Sequence, residues 1–323
     1  MKTSPHPLPI GFRVRAPGLA DIPAIAGVMA EAENSLYGES DASADDVRFT
    51  WGWPRFDPKL DAWLVVDPQD IVAGYAWVWG PRLPYSDCDG WLHLSPSATD
   101  PEPASWLIPC MEARVLDRVA QAGTPGPVAL AIPASGIDPR KQALLKAHGY
   151  RPIRTFFRME RPLPEGTGLL APDWPAGVEV AAFRRGLDEA EVHDAIQDSF
   201  ADHFRFMPEP LADWAQRAYG HSDFSPALTF LVRAEGRVVA VSVNYRNAGE
   251  AWIGMLGVRR AWRNRGLATG LLHHSFAAFR AAGCRKALLG VDSENADGAT
   301  RLYESIGMTV TRRDHLHQRT LRD

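Results

Sequence analysis

Cysteine is scarce in this chain: Cys88, Cys110 and Cys284 are the three among 323 residues, far apart and without a CxxC pair. That excludes a disulfide framework and a cysteine-rich metal site, and it fits a reducing cytoplasm. No Asp, Glu or Cys stands at ligand spacing on the same face as His273-His274, so no metal is expected. A basic surplus is also missing, since 35 Lys+Arg face 39 Asp+Glu; no nucleic-acid partner is expected. No apolar run approaches the roughly 18 residues that span a bilayer, so no membrane partner is expected either. The opening MKTSPHPLPIGF holds three prolines and no apolar stretch, which argues against a signal peptide and reads as a loose tail before Gly11.

What is present is ordinary globular material, 46% hydrophobic and 23% charged, long enough for two domains at roughly 100 to 200 residues each. The segment Arg161 to Gly177, RPLPEGTGLLAPDWPAG, carries four prolines and reads as a linker. It separates residues 11–160 from 178–323. The chain restarts after it: Gly11-Phe-Arg-Val-Arg15 and Gly177-Val-Glu-Val-Ala181 both alternate like strands and lead into helical stretches. The two ends also agree, Leu144-Leu145 then Gly149-Tyr150 against Leu302-Tyr303 then Gly307-Met308, each a helix closed by glycine. The reading is one α/β architecture used twice, a mixed, mostly antiparallel sheet flanked by helices. In the second half the final strand is expected near Met308 to Arg313.

The informative segment is Leu256-Gly-Val-Arg-Arg-Ala-Trp-Arg-Asn-Arg-Gly-Leu-Ala-Thr-Gly-Leu-Leu272, a strand that runs into a basic turn and then a helix. The first N–H groups of a helix have no intrahelical acceptors, and the macrodipole adds positive charge there. Gly266 lets a phosphate approach the main chain, and Arg263 and Arg265 add side-chain charge. The turn lacks the Gly-Lys-Ser/Thr of a Walker A loop, and glycines at 257, 266 and 270 do not make GxGxxG.

Arg263-x-x-Gly266-x-Ala268 resembles the acetyl-CoA signature of the GNAT N-acetyltransferase superfamily, and GVDSENADGATRLYESIGM some thirty residues on is similar to that superfamily's closing strand and helix. The resemblance implies a tandem repeat of two GNAT-like acyl-CoA N-acyltransferase domains. It implies that Leu256, Gly257 and Val258 meet the pantetheine arm and that Arg263, Asn264, Arg265, Gly266, Leu267, Ala268 and Thr269 cradle the pyrophosphate. Asn295 would contact the cofactor arm, although it lies eight residues before Tyr303 rather than the usual seven. Tyr303 would be the general acid, because a phenol within hydrogen-bond reach can protonate or stabilise a departing thiolate.

The two-domain layout is similar to that of mycothiol synthase, but that family's strand carboxylate is replaced here by Trp252, and the chain is not read as that enzyme. Glu250, on the same strand face as Trp252 barring a bulge, is the substitute candidate base. Asp202, His203, His221 and Asp223, in the region that rims the acceptor pocket in this fold, are its rivals. The first half offers Leu94-Ser-Pro-Ser-Ala-Thr-Asp-Pro-Glu-Pro-Ala-Ser105 in place of the cofactor turn. Its prolines remove N–H donors and Asp100 and Glu102 reverse the field, so a degenerate, CoA-free first domain is expected.

The expected function is transfer of an acetyl group from acetyl-CoA to a primary amine of a small molecule, by direct attack in a ternary complex. The alternative is a non-catalytic acyl-CoA-binding module. A monomer is compatible with the layout, because the first half would cover the sheet edge that single-domain relatives pair with another subunit.

Overall fold

The computed structural model describes residues 8–80, 86–99, 102–164, 172, 174–295 and 298–323. The readings made above for the first seven residues, for Asp100 and for 165–171 and 173 of the linker lie outside the described residues. The chain runs β1 (Arg13–Arg15), α1 (Ile22–Tyr37), α2 (Ala44–Trp51), α3 (Pro58–Asp61), β2 (Ala62–Val66), β3 (Val72–Trp79), β4 (Asp87–Leu94), α4 (Ala104–Ala122), β5 (Val128–Ser135), α5 (Pro139–Ala147) and β6 (Arg151–Pro162). It continues through β7 (Glu179–Ala182), α6 (Glu189–Phe200), α7 (Leu211–Tyr219), β8 (Phe230–Ala234), β9 (Arg237–Asn247), β10 (Glu250–Val258), α8 (Leu267–Ala281), β11 (Lys286–Asp292), α9 (Ala299–Ser305) and β12 (Thr309–Arg322).

These elements form two compact units, Met1–Thr155 with Asp314–Asp323, and Phe156–Arg313. In the first the strands lie in the order β1-β2-β3-β4-β5-β12, and in the second β6-β11-β10-β9-β8-β7. Each has the same plan: a run of antiparallel strands, one parallel pair (β4 with β5, β10 with β11), and an antiparallel strand beyond it. The fold is therefore a mixed α/β architecture built twice.

Sequence alone places the division in Arg161 to Gly177, whereas the contacts place it inside β6 and again inside β12. The reason is pairing. Residues 156–162 of β6 pair with β11, and β12 runs on past Arg313 so that Asp314 to Arg322 pair with β5. Each half thus donates its last strand segment to the other half's sheet, which local pattern does not reveal.

Both units are held by helical stripes laid on strands. In the first, Leu107, Ile108, Met111, Val115 and Val119 of α4 pack with Val65, Leu92, Leu130 and Ile132, the spacing that puts one helix face on a sheet. Ile22, Ile25 and Val28 of α1 cover the other side with Leu64, Tyr75 and Trp77. Trp77 is buried and stacks on Trp91 at 3.9 Å between ring centroids, so the tryptophans there are core. In the second, Leu272, Phe276 and Phe279 of α8 meet Ala251, Ile253, Ala287 and Leu289, and Val192, Ala195 and Ile196 of α6 meet Leu231, Val241 and Val243. No helix among the described residues is long and apolar enough to cross a membrane.

One polar element sits inside the first unit. Asp61, 1% exposed, accepts from Arg114 Nε at 2.7 Å and from Arg118 Nη2 at 2.6 Å. Removing one partner of a buried ion pair strands the other charge, at about 3 to 5 kcal/mol. Asp61→Ala is expected to lower stability by that amount, read from the urea midpoint at unchanged slope, whereas a loss under 1 kcal/mol would mean that Arg118 re-solvates freely.

Candidate functional site

The second unit's parallel pair does not stay together. β10 and β11 are in register from Glu250↔Lys286 to Ile253↔Leu289 and then separate. Past that point β10 keeps β9, from Met255↔Val243 to Val258↔Ala240, and β11 keeps β6, from Gly290↔Arg158 to Asp292↔Phe156. Among the described residues the edges they turn toward each other have no strand partner, so backbone donors and acceptors face a cleft of about 730 Å³. A bulge between Ile253 and Met255 starts the divergence. Gly254 belongs there because a Cβ would lie 2.4 Å from the Tyr245 ring, which is pinned by a bond from its hydroxyl to the Ala218 carbonyl at 2.8 Å.

At the end of β10 the chain turns through Asn264, with φ of 60°, and Gly266, with φ of 78°, into α8. Gly266 caps the helix without a side-chain hydrogen bond, and the first helical bond runs from Gly270 N–H to Gly266 O at 2.9 Å. The N–H groups of Leu267, Ala268 and Thr269 therefore have no intrahelical acceptor. A Cβ built on Gly266 meets nothing within 4 Å, so there is room for a ligand over the helix start. The start of α8 thus turns main-chain donors and the positive end of the helix dipole toward this space, chemistry that suits an anion.

Of the residues singled out from sequence, the structure brings Leu256, Gly257, Val258, Arg263, Asn264, Gly266, Leu267, Ala268, Thr269, Asn295 and Tyr303 into the lining of this one cleft. Arg263 is tethered at the rim, its Nη2 donating to Ser199 O at 2.8 Å. Arg265 is not among the lining residues; its guanidinium lies over the Trp262 ring, 4.5 Å from the centroid. Tyr303 is 8% exposed, and burial pushes its phenol up to about 12, so it is a proton carrier at neutral pH.

Glu250 is not brought to this cleft. It starts β10, four residues before the bulge glycine, roughly 13 Å at the rise of a strand, and pairs with Lys286 Nζ at 2.9 Å. It lines a separate notch with Glu160, Pro162, Gly249, Arg285 and Lys286. Of its rivals, Asp202 pairs with Arg260, and His221 lies 3.7 Å from Asp223; none of these three lines the cleft. His203 does line it, its ring 4.3 Å from that of Phe200. Asp292, missed from sequence, lines it too, with Oδ1 accepting the Glu294 N–H at 3.0 Å. Phe156 joins from β6, and no local pattern marks it because it precedes the linker. Among the described residues no cluster of three His, Cys, Asp or Glu side chains could hold a metal ion.

The model of the acetyltransferase (GNAT) family matches residues 190–308, the stretch that supplies the lining of this cleft apart from Phe156. Over 98% of its length the chain is similar to a GCN5-related N-acetyltransferase from Sphaerobacter thermophilus, with 32% identity, a TM-score of 0.82 and 98% of that chain covered. It belongs to the GCN5-related N-acetyltransferase family. A tandem GNAT protein from the clavulanic acid biosynthesis pathway covers 97% of this chain and 99% of its own at a TM-score of 0.70, with 14% identity, a likeness of fold. A mycothiol acetyltransferase from Thermobispora bispora is 32% identical over 195 residues, 58% of this chain. That match spans 64% of the relative's length. The tandem GNAT layout accounts for the repeated plan of the two units, and the chain is an acyltransferase that uses an acyl-CoA cosubstrate.

Proposed function

We propose that this GNAT protein transfers an acetyl group from acetyl-CoA to a primary amine of a small molecule, by direct attack within a ternary complex. The observation that carries the reading is the convergence of open strand edges, an uncapped helix start and a protonated phenol in one cleft. Acetyl-CoA supplies the activated thioester. The edges of β10 and β11 offer main-chain partners to the pantetheine amides. Leu267 to Thr269 offer N–H groups to the pyrophosphate, with Arg263 and Asn264 at the rim and Asn295 beside the arm. The name of the relative from Thermobispora bispora supports acetyl as the group; the absence of a long apolar helix among the described residues is compatible with a cytoplasmic enzyme.

The neutral amine nitrogen attacks the thioester carbonyl carbon. As the N–C bond forms and the C–S bond breaks, Tyr303 gives its hydroxyl proton to the leaving sulfur. His203 takes the proton that the nitrogen sheds, and both side chains re-equilibrate with solvent. His203 takes this role over the other sequence candidates because it lines the cleft with Tyr303, whereas Glu250, Asp202, His221 and Asp223 are not among its lining residues.

A panel of primary amines assayed for CoA release tests the reading. Acetyl-CoA binding with no consumption by any amine would instead mark a non-catalytic binding module. On the best amine, His203→Gln is expected to cut kcat about 100-fold, within the range for removing a general base, while the Kd for acetyl-CoA stays within twofold. Unchanged kcat, or a rise confined to KM, removes His203 as the base.

A further inference from the structure

The first unit repeats the cofactor plan of the second. Its parallel strands β4 and β5 pair only over Asp87–Ala129, Cys88–Leu130 and Asp89–Ala131 and then separate, as β10 and β11 do. α4 follows β4 as α8 follows β10, and α5 follows β5 as α9 follows β11. The matched ends Leu144-Leu145…Gly149 and Leu302-Tyr303…Gly307 set the correspondence: Leu145 stands for Tyr303, and Arg140, Lys141 and Gln142 stand for Gly298, Ala299 and Thr300. In the second unit this start of α9 is small, and Ala299 lines the cleft.

In the first unit the same three positions carry long side chains, and each is bonded into the gap. Lys141 Nζ donates to Leu92 O on β4 at 2.7 Å. Gln142 Nε2 donates to Ser135 O at the end of β5 at 2.8 Å and to Gly136 O at 3.1 Å. Arg140 donates to Ser95 O at 3.0 Å, to Ala98 O, and to both carboxylate oxygens of Glu102. Glu102 Oε1 in turn accepts the Ala104 N–H at the start of α4 at 3.4 Å. The carbonyls of Leu92, Ser95, Ala98, Ser135 and Gly136 and the N–H of Ala104 thus have partners from the chain itself.

We infer that the first unit holds an acyl-CoA groove sealed from within: Lys141 takes the place of the pantetheine arm and the Glu102–Arg140 pair that of the pyrophosphate. The sequence reading expected no CoA there because of proline and negative charge; the seal is a different cause, an occupied groove rather than a repelling one. Burial lowers the Lys141 ammonium to about 8 against the pull of Asp138 and Asp314, and burial together with Lys141 pushes His93 down to about 3. Leu145, fully buried, leaves no phenol there to act on a thioester.

The count of one acyl-CoA per chain rests on the proposed function, whereas the seal does not, and two measurements on the full-length protein separate them. Calorimetric titration with acetyl-CoA is expected to give one site per chain, weakened about 100-fold in Gly266→Asp; two sites in the wild type, or one of unchanged affinity in Gly266→Asp, overturns the seal. Competitive labelling of the native protein with acetic anhydride over pH 7 to 11, read by peptide mass, is expected to give the neutral Lys141 amine a pH-independent rate at least tenfold below those of the exposed Lys59 and Lys146. Equal rates overturn the seal. Slow labelling of Lys141 in a protein that binds no acetyl-CoA keeps the seal and rejects the cofactor reading.

Discussion

Tyr303→Phe is expected to lower kcat by about 100- to 1,000-fold while the Kd for acetyl-CoA changes less than twofold. The substitution deletes one oxygen from a ring that sits 8% exposed between α9 and the cleft, so packing is conserved and the loss falls on the chemical step. A factor of this size is what a positioned general acid contributes. Equal loss of affinity and rate would reassign the residue to binding, and unchanged turnover would remove its role. The pH profile supplies a second readout. Since burial holds the phenol at about 12, wild-type turnover should show no alkaline limb from Tyr303 up to pH 10. A limb near 10 that Tyr303→Phe abolishes would contradict that environment. The same shift has a stability consequence with a definite sign: a folded pKa above the ordinary 10.0 means that the neutral phenol's contribution is intact below pH 10 and is lost as pH rises through 12.

Gly266→Asp is expected to raise the Kd for acetyl-CoA by about 100-fold, equivalent to about 2.7 kcal/mol. The new carboxylate would stand at the helix start proposed to hold the pyrophosphate, and like charges a few ångströms apart near a protein surface repel by a few kcal/mol. The fold should survive, because the Cβ enters open space and an aspartate at a helix N-terminus suits the dipole. The left-handed backbone, with φ of 78°, adds a strain of about 1 to 2 kcal/mol that aspartate and asparagine tolerate better than most residues. Gly266→Asn is the matched control: it carries the same shape without the charge, and its Kd should rise less than tenfold. Equal losses in both variants would assign the effect to bulk or strain rather than to an anion site.

Arg263 and Glu250 differ in how far neighbouring residues fix their place in the fold. Arg263, Gly266 and Ala268 are legible because a turn that opens a helix is made by neighbours in the chain; a strand, a basic glycine turn and an apolar helix in succession leave little freedom about where the N–H groups point. Glu250 was read as a candidate base from strand alternation, and it does begin β10. Its Lys286 partner lies on β11, in register with it only because the two strands are parallel at that end. The bulge at Gly254 and the separation of the strands occur farther along β10, so the carboxylate is left at the closed end of the pair. His203 could not be ranked above His221 from sequence, since both lie in the same irregular segment and the cleft that one reaches is built from β10, β11 and α9.

By itself, then, the sequence determined the repeated α/β plan, the glycine turn that opens α8 and the placement of Tyr303 on the closing helix. All three follow from local periodicity, capping and glycine geometry over a few consecutive residues. Tertiary structure decided which strand completes which unit, that Phe156 and His203 reach the cleft, and that Arg140, Lys141 and Gln142 close the corresponding gap of the first unit. Those outcomes depend on which main-chain groups are left unpaired when two parallel strands separate. An unpaired buried donor or acceptor costs free energy until something fills it, and in this protein one unit fills its gap with its own side chains while the other leaves it open along the wall that carries Tyr303.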